Sequence, residues 1–212
     1  MKPSSLLNAA PLLLLGAVLS ACGQSNAATG GRPELPTDSE VRHPAAPKGS
    51  PVFLSLLTDS NESLYQVSVT ADAASTKINL LALGDKYQGR TVPISAALPE
   101  GAVDVKVSDS AAKVLLLHWV MWQDKNSNGQ LDGGESLPLL THDRVVYADR
   151  AVNVTFQTLT PDMLQSWNFA TGWSRAEHFV YQPLGTQTYR RSLKTNGLNR
   201  FELHLPTPIT SM

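Results

Sequence analysis

Residues 114–135 of the chain read VLLLHWVMWQDKNSNGQLDGGE, an apolar run followed directly by a polar, glycine-containing loop. From Lys113 to Gln123 the sequence is the longest apolar run beyond the N-terminal segment, and apolar residues fall on both faces of an extended chain. Strands that are apolar on both faces are typical of positions covered on both sides. We therefore predict that Lys113–Gln123 is the central strand of a β-domain and that the loop leaves from one end of it.

Short apolar or alternating segments, separated by turn residues, surround this run and predict further strands. The one helix signal is Thr160–Trp167, where Thr160 stands as an N-cap and Pro161 falls in the first turn. We predict a mainly β fold, a β-sandwich of about eight to ten short strands with at most one short helix, over residues 51–206. The other predicted strands are Pro51–Leu57, Leu64–Thr70, Lys77–Leu83, Thr91–Ile94, Ala102–Val107, Asp143–Ala148, Val152–Phe156, His178–Tyr181 and Arg200–Leu205.

Oxygen-bearing residues recur at regular positions of the loop 124–135. Calcium binds six to eight hard oxygens, and a glycine midway allows the sharp turn that such a loop needs. The spacing predicts a structural calcium site that neutralises acids at the end of the central strand; the alternative is an Asn-Gly hairpin turn with solvated acids. Counted from the first acid, the positions are Asp124 at one, Asn126 at three, Asn128 at five, Gly129 at six, Gln130 at seven through its carbonyl, Asp132 at nine and Glu135 at twelve.

These twelve residues resemble the calcium loop of EF-hand proteins. The resemblance ends at the loop, because a β-like run precedes it and Pro138 follows Glu135 too closely for an exit helix. The loop is more similar to the EF-hand-type loops that exported bacterial β-domains carry between strands. The resemblance implies calcium affinity in the weak extracellular range, roughly 10⁻⁵ to 10⁻⁴ M, and no calmodulin-like opening.

The N-terminus has the features of a cleaved signal segment. Met1-Lys2 gives a basic start, Leu12–Leu19 is a short apolar core, and Leu19-Ser20-Ala21-Cys22 follows. This tetrapeptide resembles the lipobox of bacterial lipoproteins, which implies removal of residues 1–21 and attachment of diacylglycerol, with acyl chains such as palmitate, to Cys22. Lipid on Cys22 would anchor the chain to a bacterial membrane and would also explain a single, unpaired cysteine. The alternative is a cysteine that happens to follow a secretory signal.

Residues 22–50 are rich in Ala, Gly, Ser, Pro and Thr and contain no large apolar run. Such a composition cannot bury enough surface to offset the cost of ordering, so we predict a disordered tether between Cys22 and the domain. Residues 207–212 are predicted to be a short tail.

An aromatic-rich patch near His178 consists of Trp167, Phe169, Trp173, Phe179 and Tyr181. Within it, Trp167, Trp173 and Tyr181 form a candidate ligand surface for a sugar or a similar molecule. The alternative is that these rings close the core. No catalytic residue is predicted. Ser110-Ala111-Ala112-Lys113 fits the Ser-x-x-Lys pattern, but its companion motifs are absent, and the chain contains no His-Glu-x-x-His or Gly-x-Ser-x-Gly motif.

The formal net charge is −1, which argues against a nucleic-acid partner. Together these features predict an envelope protein, lipid-anchored and facing outward or periplasmic, whose calcium-stabilised domain has a non-enzymatic binding or structural role. The alternative is a carbohydrate-active or other hydrolytic lipoprotein, which would need two facing carboxyl groups about 5–10 Å apart. The sequence does not identify the protein or glycan partner.

Overall fold

The computed structural model of the protein describes residues 35–206, so the predictions for residues 1–21, Cys22 and residues 207–212 lie outside the described part. The described residues are mainly β, as predicted, and no helix among them is long and apolar enough to cross a membrane. Two 3-10 helices, Leu80–Leu83 and Ile94–Ala97, accompany the strands. The strands are β1 Ser39–Arg42, β2 Val52–Thr58, β3 Ser63–Val69, β4 Ser75–Ile78, β5 Val92–Pro93, β6 Val103–Val107, β7 Lys113–Gln123, β8 Arg144–Ala148, β9 Val152–Leu159, β10 Asp162–Phe169, β11 Gly172–Tyr181, β12 Tyr189–Asn196 and β13 Arg200–Glu202.

The strands form two sheets, and β7 lies inside the larger one. That sheet has ten strands in the order β3-β2-β7-β8-β11-β12-β10-β9-β6, with β5 attached to β7. The smaller sheet has the order β13-β1-β4. Every residue of β2 pairs with one edge of β7, and β8 pairs with the other edge of β7. The prediction of a central strand at Lys113–Gln123 is therefore confirmed.

Two apolar cores lie on opposite faces of β7 and β8, because successive side chains of a strand point to opposite sides. The first core lies between the two sheets and brings Trp119 of β7 against Phe201 of β13, with ring centroids 5.7 Å apart. The second core is enclosed by β7 to β12 and contains Trp167 and Phe169. The packing of one sheet on the other is that of a β-sandwich, and the predicted fold class is confirmed.

The folded domain begins before residue 51, so the assignment of residues 35–50 to the tether is wrong. Val41 of β1 is fully buried, and β1 pairs with β4 on one edge and with β13 on the other. Main-chain hydrogen bonds on both edges and the burial of Val41 order a segment whose composition alone predicts disorder.

The predicted helix at Thr160–Trp167 is also wrong. Thr160 and Pro161 form the turn between β9 and β10, and β10 pairs antiparallel with β9 from Asp162 to Phe169. Alternate residues of β10 are buried, which satisfies a period of two rather than the helical period. Tertiary pairing thus overrides the local helix-start signal.

Two further segments differ from the prediction. Of the predicted strand Lys77–Leu83 only the start is extended, because the Asn79 side chain accepts a hydrogen bond from the Leu81 N–H (3.0 Å) and caps a 3-10 turn. Strand β12 was not predicted at all, although it lies in the middle of the larger sheet between β11 and β10. With β1, β10 and β12 added, the described residues contain thirteen strands rather than eight to ten.

Candidate metal loop and open sheet face

The loop 124–135 leaves the end of β7 and returns beside it. Main-chain bonds close its base: Gln123 N–H donates to the Glu135 carbonyl (2.9 Å), and Leu137 N–H donates to the Met121 carbonyl (2.8 Å). Trp122 and Ser136 form an isolated β-bridge across the same base. The loop is therefore held by the central strand, as the sequence predicted.

The acids at the two ends of the loop are buried: the exposed fraction is 3% for Asp124 and 4% for Glu135. Within residues 35–206 neither carboxylate forms an ion pair, and the nearby Lys125 ammonium instead donates to the Gly134 carbonyl (2.7 Å). Every carboxylate oxygen accepts one main-chain N–H. The four donors are Asn128 to Asp124 Oδ1 (3.1 Å), Gly129 to Asp124 Oδ2 (2.9 Å), Lys125 to Glu135 Oε1 (2.8 Å) and Asp132 to Glu135 Oε2 (3.0 Å).

The middle of the loop is organised around Asp132. The Nδ2 atoms of Asn126 and Asn128 both donate to its Oδ2, at 2.8 and 2.7 Å, and these bonds hold the pKa of Asp132 below its ordinary value. The Oδ1 atom of Asn128 accepts the N–H of Gln130 (2.8 Å). Gln130 itself is exposed, and the sequence assigns it only a carbonyl ligand.

The turn at Asn128-Gly129 depends on glycine. Gly129 has φ +72° and the preceding Ser127 has φ +60°, both in the left-handed region. Glycine adopts this region without steric cost, which explains its place at position six. A side chain at position 129 would strain the turn that brings the two amides toward Asp132.

These residues suit a hard cation. Buried charges in proteins are paired or coordinate metals, and each carboxylate oxygen of Asp124 and Glu135 keeps a lone pair beyond the one that accepts an N–H. The amides of Asn126 and Asn128 would present Oδ1 rather than Nδ2 after rotation about the terminal bond. Within residues 35–206 no three His, Cys, Asp or Glu side chains are arranged to hold a metal ion by themselves, so amide and carbonyl oxygens would have to complete the set.

Comparison of the chain with models of protein families, with curated proteins and with solved structures found no match.

The candidate ligand surface is wrong for two of its three residues. Trp167 is packed in the second core, edge-on to Phe156 with centroids 5.1 Å apart. Trp173 is buried in the first core, and its Nε1 donates to the Gly84 carbonyl (3.3 Å). Only Tyr181 is exposed. The alternation of β10 and β11 places the two indoles on opposite faces of the larger sheet, where they serve as core residues.

Tyr181 instead belongs to a different surface, which we call the open face. It is the outward side of the neighbouring strands β11, β12, β10, β9 and β6, and it contains a depression of about 480 Å³. The strand register aligns its side chains in rows, since paired residues point to the same side of a sheet. One row is Tyr181, Arg190, Leu164 and Gln157, and the next is Phe179, Ser192, Ser166, Thr155 and Lys106.

The open face continues the side of β11 that elsewhere faces the first core. Trp173 on this side is 4% exposed, and Arg175 lies over the ring of Phe201 in the smaller sheet, 5.9 Å from its centroid. Further along the strand Phe179 is 60% exposed and Tyr181 is 48% exposed. Among the described residues the smaller sheet covers the first part of this side and leaves the second part open.

A histidine cluster lies on a third surface and was not predicted. His142 and His178 have ring centroids 4.6 Å apart, His142 and His204 are 6.4 Å apart, and Asp143 and Glu202 help to line the same small pocket of about 230 Å³. Burial is the main cause that lowers the pKa of His178 to about 4. Spacing in sequence gave no signal for this cluster, because the three imidazoles come from separate segments that only the fold brings together.

Proposed function

We propose that the chain is a lipid-anchored envelope protein whose β-sandwich is stabilised by calcium and serves as a non-enzymatic binding module. The observation that carries the calcium part is the pair of buried carboxylates, Asp124 and Glu135, which no cationic side chain among residues 35–206 neutralises. A divalent cation in the loop would supply the missing charge. Asp124, Asn126, Asn128, Asp132 and Glu135 would hold it with side-chain oxygens, and Gln130 would contribute its carbonyl.

A structural role suits the position of the loop. It extends from the central strand, and its base is bonded to the main chain of Gln123 and of the buried Met121. Cation binding would therefore stabilise the end of β7 rather than move one element against another. The chemistry that calcium supplies there is charge neutralisation.

The binding role is supported over the hydrolytic alternative by where the carboxylates lie. Asp104 is the one acid that lines the depression of the open face. Asp143 and Glu202 line the histidine pocket, where Asp143 Oδ2 lies 3.7 Å from Arg175 Nε. Two acids line a further depression, but Arg90 binds Glu62 there through Nη2 at 2.6 Å and keeps the pKa of that carboxyl low. A general acid for glycoside hydrolysis needs a raised pKa instead.

The lipid anchor is a separate part of the proposal and rests on the sequence Leu19-Ser20-Ala21-Cys22. Expression in a bacterium that processes lipoproteins should give a membrane-bound protein whose mass carries the acyl groups. A Cys22→Ser variant should appear as a soluble exported chain or an unprocessed precursor. Membrane binding by this variant equal to that of the native chain would contradict lipidation at Cys22.

The calcium part is tested by thermal unfolding of the full chain in EDTA and in millimolar calcium, beside Asp124→Ala. With a Kd of roughly 10⁻⁵ to 10⁻⁴ M, millimolar calcium should add about 1.5–2.7 kcal/mol and raise Tm by about 3–10 °C. The rise should disappear in Asp124→Ala. Magnesium at the same concentration should give a smaller rise, because it requires a tighter octahedral shell.

A calcium response of equal size in Asp124→Ala, or none in the native chain, would contradict the proposal. Asp124→Ala removes a buried charge as well as two hydrogen bonds, so its Tm in EDTA should stay close to that of the native chain. A large loss in EDTA would show instead that the carboxylate matters mainly to the apo fold.

A further inference from the structure

We propose that the open face binds an acidic polysaccharide, with Phe179 and Tyr181 stacking on sugar rings and Arg190, Lys194 and Lys106 contacting its carboxylates. This inference rests on the proposed role as a binding module and names its class of ligand. It does not depend on calcium or on the lipid anchor.

The aromatic part of the face is formed by two neighbouring rings. Phe179 and Tyr181 lie two residues apart on β11 with centroids 5.8 Å apart, and Leu164 of β10 is exposed in the same rows. Aromatic faces bury the C–H faces of sugars at a low cost in conformational entropy. Two rings at this spacing present an exposed apolar strip on an otherwise polar surface.

The charges of the face are unbalanced toward cations, since Arg190, Lys194 and Lys106 outnumber Asp104 among the residues that line the depression. Arg190 and Lys194 project from β12 and Lys106 from β6, and none of the three forms an ion pair with a residue in 35–206. Glu177, which the register places opposite Lys194, is already bound by Arg175 Nη2 (3.0 Å) and Asn196 Nδ2 (2.7 Å). The cations are therefore free to bind the carboxylates of a ligand, and arginine does so with two parallel hydrogen bonds.

The residues between Phe179 and Lys106 are small and polar, whereas Arg190 lies directly opposite Tyr181. Ser192, Ser166 and Thr155 follow one another across β12, β10 and β9, and Gln157 ends the adjacent row. Hydroxyl and amide groups can donate to and accept from the hydroxyls of a sugar chain. A lipid chain or an apolar peptide would leave these groups buried without a partner, which is costly.

Single-stranded nucleic acid also combines stacking with negative charge, but the molecule is a poor match for it. The formal net charge of the chain is −1, so a polyanion of either kind would have to be held by local contacts rather than by an extended positive field. The hydroxyl row of Ser192, Ser166 and Thr155 matches the many hydroxyls of a saccharide, which a DNA strand lacks along its length. We therefore infer acidic polysaccharide and make nucleic acid an outcome of the test.

The test measures calorimetric binding of a short oligogalacturonate to the full chain. Three probes accompany it: the methyl-esterified oligomer, which has the same sugars without charge, a sulfated dextran oligomer and oligo-dT. The native chain should bind the acid and bind its ester at least about tenfold more weakly, since one charge-assisted contact is worth about 1.4 kcal/mol or more. Added salt should weaken binding of the acid and have little effect on the ester.

Two variants locate the site. Arg190→Gln/Lys194→Gln should bind the acid at least about tenfold more weakly, and Phe179→Ala/Tyr181→Ala should lose both the acid and the ester. Lys113→Gln/Arg200→Gln is the matched control, because it removes the same charge from exposed residues that do not line the depression. The control should bind as the native chain does.

Three results would overturn the inference. These are no binding of the acid by the native chain, equal loss of binding in the control, or tighter binding of oligo-dT than of either acidic saccharide. Tighter binding of the sulfated oligomer would keep the acidic class and identify sulfate rather than carboxylate as the source of charge. Because every variant is also melted with and without calcium, failure of this inference with an intact calcium response leaves the calcium part of the proposed function in place.

Discussion

The metal loop and the open face carry opposite imbalances of charge. In the loop, Asp124 and Glu135 are buried acids held by main-chain N–H groups and paired with no cation of the described chain. On the open face, Arg190 and Lys194 are exposed cations that form no ion pair within the described chain. A buried charge is costly unless it is compensated, whereas an exposed charge is solvated and screened by salt within about 8–10 Å. Adding a cation at the loop should therefore change the stability of the protein. At the open face, the charges should affect ligand binding and leave stability unchanged.

The largest expected effect is a loss of stability on truncating the buried aromatic residue at the base of the loop. An aromatic truncation on the open face serves as the comparison. Trp122 is fully buried, stacks on Phe53 with centroids 4.9 Å apart, and donates its Nε1 to Ser55 Oγ (2.8 Å). Trp122→Ala should lower the free energy of unfolding by about 3–5 kcal/mol. Phe179→Ala, an aromatic truncation on the open face, should change it by less than about 0.5 kcal/mol. Urea unfolding of both variants gives the comparison.

The calcium response sharpens this contrast. Trp122→Ala should also weaken calcium binding, because loss of the buried indole loosens the end of β7 from which the loop leaves. Phe179→Ala should leave calcium binding unchanged. Similar stability losses in the two variants would mean that the aromatic ring on the open face is covered in solution, contrary to the exposure that the structure gives it.

A smaller change in the free energy of unfolding is expected from pH. This change arises chiefly from His178 on β11 and not from the acids of the loop. Burial, then Arg191, His142 and Arg144, lower the pKa of His178 to about 4. The unfolded chain therefore takes up a proton first as the pH falls from about 6.5, so stability is lost between about pH 6.5 and 4. The half-buried position of the imidazole reduces the loss to roughly 1–2 kcal/mol. Urea unfolding at a series of pH values measures it.

The matched variant is His178→Gln, which should remove part of this slope. His142 and His118, whose pKa values burial also lowers, should account for the remainder. Asp132 has a lowered pKa in the folded loop, so its contribution is present above its unfolded pKa and is lost only below about pH 4. An unchanged slope between pH 6.5 and 4 in His178→Gln would contradict the assignment to this imidazole.

The smallest effect is expected from the charges of the open face. Arg190→Gln/Lys194→Gln should change the free energy of unfolding by no more than about 0.5 kcal/mol, in calcium or in EDTA. The measurement is denaturant unfolding at low and high salt. A loss above about 1 kcal/mol would show that these side chains form stabilising contacts and would remove the basis for treating them as free.

Much of the central region could be predicted from local sequence. The apolar run Lys113–Gln123 has the bounds of β7, and the spacing of loop 124–135 identifies the residues that the fold gathers at its end. Both features are continuous in sequence, so the pattern contains the information. The same is true of β2 and β3, whose apolar or alternating segments match the predicted strands.

The rest depends on pairing between distant segments. β1 is ordered by β13, more than 150 residues away, so its own composition suggests a tether. Trp167 and Trp173 are close in sequence, yet the alternation of two different strands places them in two separate cores. The open face is created by register across five strands, and only Phe179 and Tyr181 among its residues could be proposed from sequence.

Direct calcium binding tests the central claim most directly. Isothermal titration of the full chain with calcium should give one site per chain with a Kd of roughly 10⁻⁵ to 10⁻⁴ M. Asp124→Ala, shown to be folded by its circular dichroism spectrum, should give no binding. A folded native chain that binds no calcium, or an Asp124→Ala variant that binds it equally well, would contradict the account of the loop as a calcium site.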